Sequence, residues 1–183
     1  MVITTERVHN GFVKVDKLTV PGLPYTPEVV RVSNSVAFLV YNLDTDEFLM
    51  TTQNRFPMVT DKNPEGTILE VGAGRFDTKI GVAGLVVKEL KEELGVDATE
   101  DEILVLNDGN PMALSPGVLT EMQYLAYVGI TNDRIDTSKR LYGVAAEGES
   151  IIRRFIPLQD FVEGKIPIYD MKTFALIQWF LAN

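Results

Sequence analysis

The chain has 183 residues, of which 45% are hydrophobic and 23% are charged, and its formal net charge is −9. This length and composition are typical of one compact globular domain with a sizeable core, and they argue against a disordered chain. The acidic balance, without any Lys/Arg-rich run, argues against a nucleic-acid partner. The sequence contains no cysteine, which excludes disulfides, thiolate nucleophiles and Cys-ligated zinc.

The sequence also gives no sign of a membrane partner. No apolar run approaches the ~18 residues of a membrane span. The first residues, MVITTERVHNG, do not resemble a signal peptide. We therefore expect a soluble, cytoplasmic protein.

The first third of the chain alternates apolar and polar residues, which predicts β-strands. RVHNGFVKVDKLTV predicts two short strands around Asn10-Gly11, a residue pair typical of hairpin turns. EVVRV predicts another strand after the proline-rich segment VPGLPYTP. We expect residues 1–33 to form a small N-terminal antiparallel β subdomain.

The remaining residues, 34–183, predict a second unit with both strands and helices. SVAFLVYNL and EFLMTTQNRF form a predicted hairpin around DTDE, and the first of these strands is apolar enough to be buried on both faces. Further strands are predicted for TILEVGAG, which runs into a glycine-rich turn, and for EILVLN, EMQYLAYVGI and SIIRRFIPL. Helices are predicted for VAGLVVKELKEEL, closed by Gly95 as a C-cap, for LQDFVEG, and for DMKTFALIQWFLAN with Asp170 as N-cap. Many strands with few helices indicate an α+β layered domain.

Three glutamates, Glu89, Glu92 and Glu93, crowd the end of the first predicted helix. Like charges at helical spacing destabilise a helix by roughly 0.2–0.5 kcal/mol per pair. At about 100° per residue the three carboxylates lie within one arc that borders the apolar face rather than opposing it. Carboxylates clustered beside a Gly-Ala-Gly turn suit a hard cation such as Mg²⁺. The alternative interpretation is an ordinary solvated helix face.

The segment from Gly74 to Val96 resembles the Nudix box, G-x5-E-x7-R-E-U-x-E-E-x-G-U, where U is aliphatic. The positions that match in register are Gly74, Glu89, Leu90, Glu92, Glu93, Gly95 and Val96. Ile80 stands where the family has its first glutamate, and Lys88 stands where it has arginine. In the family these two side chains support each other behind the metal ligands, so the departure weakens that brace. The resemblance implies a Nudix fold, an α/β/α sandwich around a mixed sheet.

Five further segments resemble one branch of this family, the ADP-ribose and GDP-mannose pyrophosphatases. They occur in the branch's order and span most of the chain: NGFVKVDKLTV, QNRFP followed by LEVGAG, SPGVLTE and YDMKTFALIQWFL. In that branch the N-terminal strands build a dimer, so the resemblance implies a homodimer.

The resemblance also implies roles for individual residues. Metal ligands would be the Ala73 carbonyl, Glu89 and Glu93, with Glu92 beside them, and the cofactor would be Mg²⁺, with Mn²⁺ as the alternative. Arg55 would bind the phosphates or terminal ribose of the substrate, and Glu70 would line the site. Glu121 would be the catalytic base, or a further metal ligand, on a mobile loop. Glu92 is the second catalytic candidate, and would be the base if Glu121 is not.

The reaction implied is Mg²⁺-dependent hydrolysis of the pyrophosphate bond of a nucleoside diphosphate sugar, giving a nucleoside monophosphate and a sugar phosphate. ADP-ribose is the leading substrate, and GDP-mannose or a UDP-sugar is the alternative, the latter because Lys88 occurs in relatives that act on UDP-glucose. An alternative of another class is a non-catalytic Nudix-fold sensor of nucleotide sugars. Ile80 favours the sensor, whereas intact Glu89, Glu92, Glu93 and Glu121 favour the enzyme.

Overall fold

The computed structural model describes residues 2–76, 79–139, 141–143 and 150–183. Its strands are β1 (Thr4–Asn10), β2 (Lys14–Thr19), β3 (Glu28–Arg31), β4 (Ser35–Asn42), β5 (Glu47–Asn54), β6 (Thr67–Glu70), β7 (Gly72–Arg75), β8 (Leu104–Val105), β9 (Met112–Ala113), β10 (Met122–Ile130), β11 (Leu141–Tyr142) and β12 (Ile151–Pro157). Its α-helices are α1 (Val82–Glu89), α2 (Leu158–Val162) and α3 (Met171–Ala182). A π-helical turn, Leu90–Leu94, continues α1.

The predicted N-terminal strands are confirmed as a three-stranded antiparallel sheet in the order β1-β2-β3. Asp16 of β2 is buried and accepts hydrogen bonds from the Nε groups of Arg7 and Arg31. These hydrogen bonds lower the pKa of the Asp16 carboxyl below its usual value. The sheet is therefore stabilised by ion pairs from Asp16 to Arg7 of β1 and Arg31 of β3, as well as by its backbone hydrogen bonds.

In the described part of the chain, the other nine strands form one mixed sheet. Its main path is β11-β12-β5-β4-β10-β8, with β6 added to β5, β7 to β4 and β9 to β10. β4 and β10 run parallel, and the remaining pairs are antiparallel. β4 is central because β10 borders it on one side while β7 and β5 share the other.

Helices cover both faces of this sheet, because β4 is apolar on both, as its sequence predicts. Val36, Phe38 and Val40 pack on one face with α1 and the π-helical turn. Ala37 and Leu39 pack on the opposite face with α2 and α3. The predicted α+β class, with a mixed sheet between helices, is confirmed at this level. Among the described residues, no helix has both the length and the apolar character needed to cross a membrane.

Two predicted segments differ in detail from the structure. The strand predicted from EILVLN is reduced to β8, because a capping box between Thr99 and Glu102 draws the preceding residues into a 3-10 turn. A left-handed backbone at Asn107 (φ 54°) then ends the strand. The glycine-rich turn predicted after β6 is instead strand β7. The extended chain is interrupted only at Val71, where its pairing partner changes from β5 to β4.

The predicted C-cap at Gly95 is confirmed, and a neighbouring side chain is a second reason why this position requires glycine. Gly95 has φ 61°, in the left-handed region. A Cβ at this position would lie 2.4 Å from Cε1 of Tyr142. Beside it, Arg153 of β12 donates to the carbonyl oxygens of Leu94 (2.5 Å) and Asp136 (2.9 Å), so the last carbonyl of the π-helical turn is satisfied by a charged donor.

We predict that Gly95→Ala destabilises the protein more than Gly109→Ala. Both positions have positive φ, which costs a non-glycine residue roughly 1–2 kcal/mol. A Cβ at Gly109 meets no atom within 4 Å, whereas one at Gly95 meets the Tyr142 ring, so overpacking adds about 1–3 kcal/mol. Urea unfolding of the two variants measures the difference. Equal losses would show that the ring moves aside without cost.

Candidate active site

The three helix glutamates lie where α1 passes into the π-helical turn. Leu90 and Leu94 of that turn are fully buried against the sheet. A π-helical turn holds one more residue than an α-helical turn of the same height, and such turns are frequent at functional sites. Glu93 lies in this turn between the two buried leucines, and it is only 4% exposed.

Glu93 is bonded directly to strand β7. Its Oε2 accepts a hydrogen bond from the backbone N–H of Ala73, at 3.0 Å. Ala73 lies opposite Ala37 of β4, and its N–H points away from β4 toward the helix. Because the N–H and C=O of one strand residue point to the same side, the Ala73 carbonyl also faces the glutamates. The sequence-predicted ligands Ala73 and Glu93 are thus neighbours.

Glu89 lies directly over Gly74, the first position of the sequence motif. A Cβ at Gly74 would be 2.3 Å from Cγ of Glu89 and 2.5 Å from its Oε1. Glycine at this position therefore leaves room for the Glu89 carboxylate on the strand, where the side chain is 12% exposed. Residues 77 and 78, within the motif, lie outside the described residues.

A lysine already sits among the helix carboxylates. Nζ of Lys88 is 3.4 Å from Oε1 of Glu89 and 3.2 Å from Oε2 of Glu92. Burial by itself lowers the pKa of Lys88, but the Glu89 and Glu92 carboxylates outweigh it, and the pKa lies above the ordinary lysine value. Glu92 is the most exposed of the three carboxylates, at 34% of its side chain. The Lys88 ammonium group therefore relieves part of the repulsion among the carboxylates of the helix.

The donor chemistry of this region suits a hard cation, since Glu89, Glu93 and the Ala73 carbonyl all offer oxygen. Gly74 keeps the space in which the Glu89 carboxylate lies. Among the described residues, however, no three His, Cys, Asp or Glu side chains converge closely enough to hold a metal ion. The predicted ligand set of Ala73, Glu89, Glu92 and Glu93 remains a prediction.

Arg55 and Glu70, both predicted from the sequence, form an ion pair. Nε of Arg55 donates to Oε2 of Glu70 at 2.7 Å. Glu70 is buried, and its other oxygen accepts from Nζ of Lys172. With both oxygens engaged, Glu70 orients two cations. The Arg55 side chain remains 42% exposed, so its guanidinium can still meet a solute.

Lys172 was not among the predicted site residues. The sequence resemblance included its segment at the start of α3 but attached no role to it. Lys172 also pairs with Oδ1 of Asp170 at 2.9 Å, and Asp170 caps α3 by accepting from the N–H of Thr173, which confirms the predicted N-cap. The Thr173 hydroxyl accepts from the N–H of Val71. The start of α3 is therefore joined to Glu70, the last residue of β6, and to the adjacent Val71.

Glu121 lies immediately before β10, and its Oε1 accepts a 2.6 Å hydrogen bond from Oγ of Ser35. Ser35 begins β4 and lies opposite Arg75 of β7. Parallel pairing places Gln123 of β10 opposite Ser35. Glu121 and the helix that carries Glu89, Glu92 and Glu93 therefore lie at the same end of β4. Glu121 is on the β10 side of β4, and the helix is on the β7 side. Arg55 follows β5 at this end too, because β5 runs antiparallel to β4.

The chain is similar in sequence to a known enzyme. It is 28% identical over 156 residues to a GDP-mannose pyrophosphatase of Enterobacter sp. (strain 638), and the alignment covers 83% of this chain and 75% of that protein. No protein-family model matches the chain.

We predict that Lys172→Met costs about 3 kcal/mol of stability, because it removes one cation from the buried Glu70 carboxylate. Lys165→Met is the matched control, since Lys165 also bridges two acidic side chains, Asp160 and Glu163, but is exposed. Its removal should change stability little. Urea unfolding measures both variants. Similar losses in the two would mean that Glu70 does not depend on Lys172.

Proposed function

We propose that this protein is a Nudix-type hydrolase that cleaves the pyrophosphate bond of a nucleotide sugar into a nucleoside monophosphate and a sugar phosphate. The single observation that carries the proposal is the meeting of the helix carboxylates with strand β7, through Glu93 on Ala73 and Glu89 over Gly74. Gly74, Glu89 and Glu93 are matching positions of the segment that resembles the Nudix box, and Ala73 directly precedes that segment. The relative named GDP-mannose pyrophosphatase supports the same class of reaction.

Two nucleotide sugars are the leading substrates within this class. The resemblance of the sequence motifs favours ADP-ribose, whereas the name of the relative favours GDP-mannose. Both contain the same reacting group, a diphosphate between two sugars. We therefore treat GDP-mannose and ADP-ribose as the two substrates to compare first.

Each residue has a proposed part in the reaction. Glu89, Glu93 and the Ala73 carbonyl would hold Mg²⁺, which when bound neutralises phosphate oxygens and lowers the pKa of a bound water. Arg55, oriented by Glu70, would bind a phosphate through its exposed guanidinium. Glu121 would take a proton from water as the water oxygen forms its bond to phosphorus and the bridging P–O bond breaks. The electron pair of that bond leaves with the second phosphate.

The test is a turnover screen over GDP-mannose, ADP-ribose, UDP-glucose and NADH, with Mg²⁺ or Mn²⁺ and with EDTA. We expect metal-dependent release of a nucleoside monophosphate from at least one nucleotide sugar. Binding of these compounds without turnover would support the sensor instead and contradict the enzyme.

The role of Glu121 has its own prediction. On the substrate identified by the screen, Glu121→Gln should lower kcat by about 10²–10⁴-fold, the usual range for loss of a general base, with little change in KM. Glu163→Gln, which removes an exposed carboxylate beside α2, should retain wild-type kcat. If Glu121 is mainly a metal ligand, the variant should recover activity at high Mg²⁺. A Glu121→Gln variant within about threefold of wild type at all Mg²⁺ concentrations would remove Glu121 from the mechanism.

We also propose that residues 1–33 form the subdomain through which two copies of the chain pair. Every residue of β1 is exposed, and Phe12 in the following turn is 94% exposed. An apolar side chain so exposed on a thin sheet suits an interface. Light scattering at micromolar concentration should give the mass of a dimer, and Phe12→Ser should lower it. A monomeric wild type would contradict this proposal.

A further inference from the structure

The Glu121 carboxylate ends a chain of hydrogen bonds with a fixed direction. Oγ of Ser35 lies 2.6 Å from Oε1 of Glu121, and Nε2 of Gln123 lies 3.0 Å from the same Oγ. An ionised carboxylate only accepts, so the single hydroxyl proton of Ser35 points at Glu121. The Gln123 amide must then donate to Ser35. Gln123 thus orients Ser35, and Ser35 orients Glu121.

Ser35 and Gln123 are polar at a place where the sheet is otherwise apolar. Each is 4% exposed; Ser35 directly precedes the buried Val36, and Gln123 lies two residues before the buried Leu125. A buried hydroxyl or amide destabilises the fold unless it is hydrogen-bonded. Their bonds to each other and to Glu121 meet that requirement. Apolar residues at both positions would fill the core without needing these hydrogen bonds. We therefore interpret the polar pair as serving the Glu121 carboxylate.

The backbone on both sides of Glu121 is hydrogen-bonded to the segment that leads into β4. Thr120 donates its N–H to the Val30 carbonyl, and its Oγ1 accepts from the N–H of Val32, both at 3.1 Å. On the other side of Glu121, the N–H of Met122 donates to Oδ1 of Asn34 at 3.1 Å. These contacts hold the backbone on both sides of Glu121 but not its side chain. The hydrogen bond from Ser35 orders the side chain.

We propose that Ser35 is a positioning residue for the reaction, a role that rests on the proposed function. It holds Oε1 of Glu121 so that Oε2 is the oxygen that receives the proton of the attacking water. A base fixed in this way meets the water in the required geometry without reorganisation at the moment of reaction. Gln123 acts one step further back, by directing the Ser35 proton.

The first experiment compares steady-state kinetics of point variants on the substrate found in the screen. Ser35→Ala should lower kcat by about 10–100-fold, the factor for one hydrogen bond to a charged group, with KM within about twofold. Ser35→Thr keeps the hydroxyl and should recover to within about threefold of wild type. Asn42→Ala is the control, because Asn42 is a buried, hydrogen-bonded polar residue at the opposite end of β4. It should lower the melting temperature without changing kcat.

A double-mutant cycle separates positioning from general loss of structure. In a Glu121→Gln background, Ser35→Ala should lower kcat by less than about twofold, because the carboxylate on which it acts is gone. A purely structural role for Ser35 would give the same loss in both backgrounds, and that result would overturn the proposal. If Ser35→Ala does not fold, Gln123→Met takes its place in the cycle, with a smaller expected loss.

The failure of this inference is distinct from that of the proposed function. Wild-type and Asn42→Ala turnover with an unchanged kcat for Ser35→Ala would refute the positioning role and leave the hydrolase standing. Absence of turnover by the wild type on every nucleotide sugar would refute both.

Discussion

The hydrogen bond from the Ala73 N–H to Glu93 is the contact on which the arrangement of the site depends. It joins the glutamate helix to β7, and β7 is in turn paired with the central strand β4. The bond leads Glu93 to the strand edge that also presents the Ala73 carbonyl. Glu89, one turn earlier, then lies over Gly74. Without this bond, the carboxylates would belong to a helix that merely packs on the sheet.

The same contact accounts for the crowding of like charges. Glu93 is compensated by a backbone N–H, while Glu89 and Glu92 share the ammonium group of Lys88. The helix therefore tolerates its three carboxylates because each has a donor or cation nearby.

Features set by local chemistry could be predicted from the sequence, and features set by tertiary contacts could not. The left-handed cap at Gly95, the Asp170 N-cap and the two-sided burial of β4 follow from residue type and periodicity. The pairing of β7 with β4 is a tertiary contact that no local pattern encodes, and no sequence pattern indicated the π-helical turn. Lys172 was missed because its role depends on Glu70, far away in sequence. Arg55 and Glu70 were each predicted as site residues, but the hydrogen bond between them was not predicted.

The central claim is that Glu89 and Glu93 form the site of a divalent cation at β7, and thermal unfolding with and without Mg²⁺ tests it most directly. At about 100 times the dissociation constant, Mg²⁺ should raise the melting temperature of the wild type by roughly 5–10 °C. The double variant Glu89→Gln/Glu93→Gln should lose this shift, whereas Glu65→Gln/Glu163→Gln, which removes two exposed carboxylates, should keep it. A wild-type shift that survives in the Glu89→Gln/Glu93→Gln variant would contradict the account.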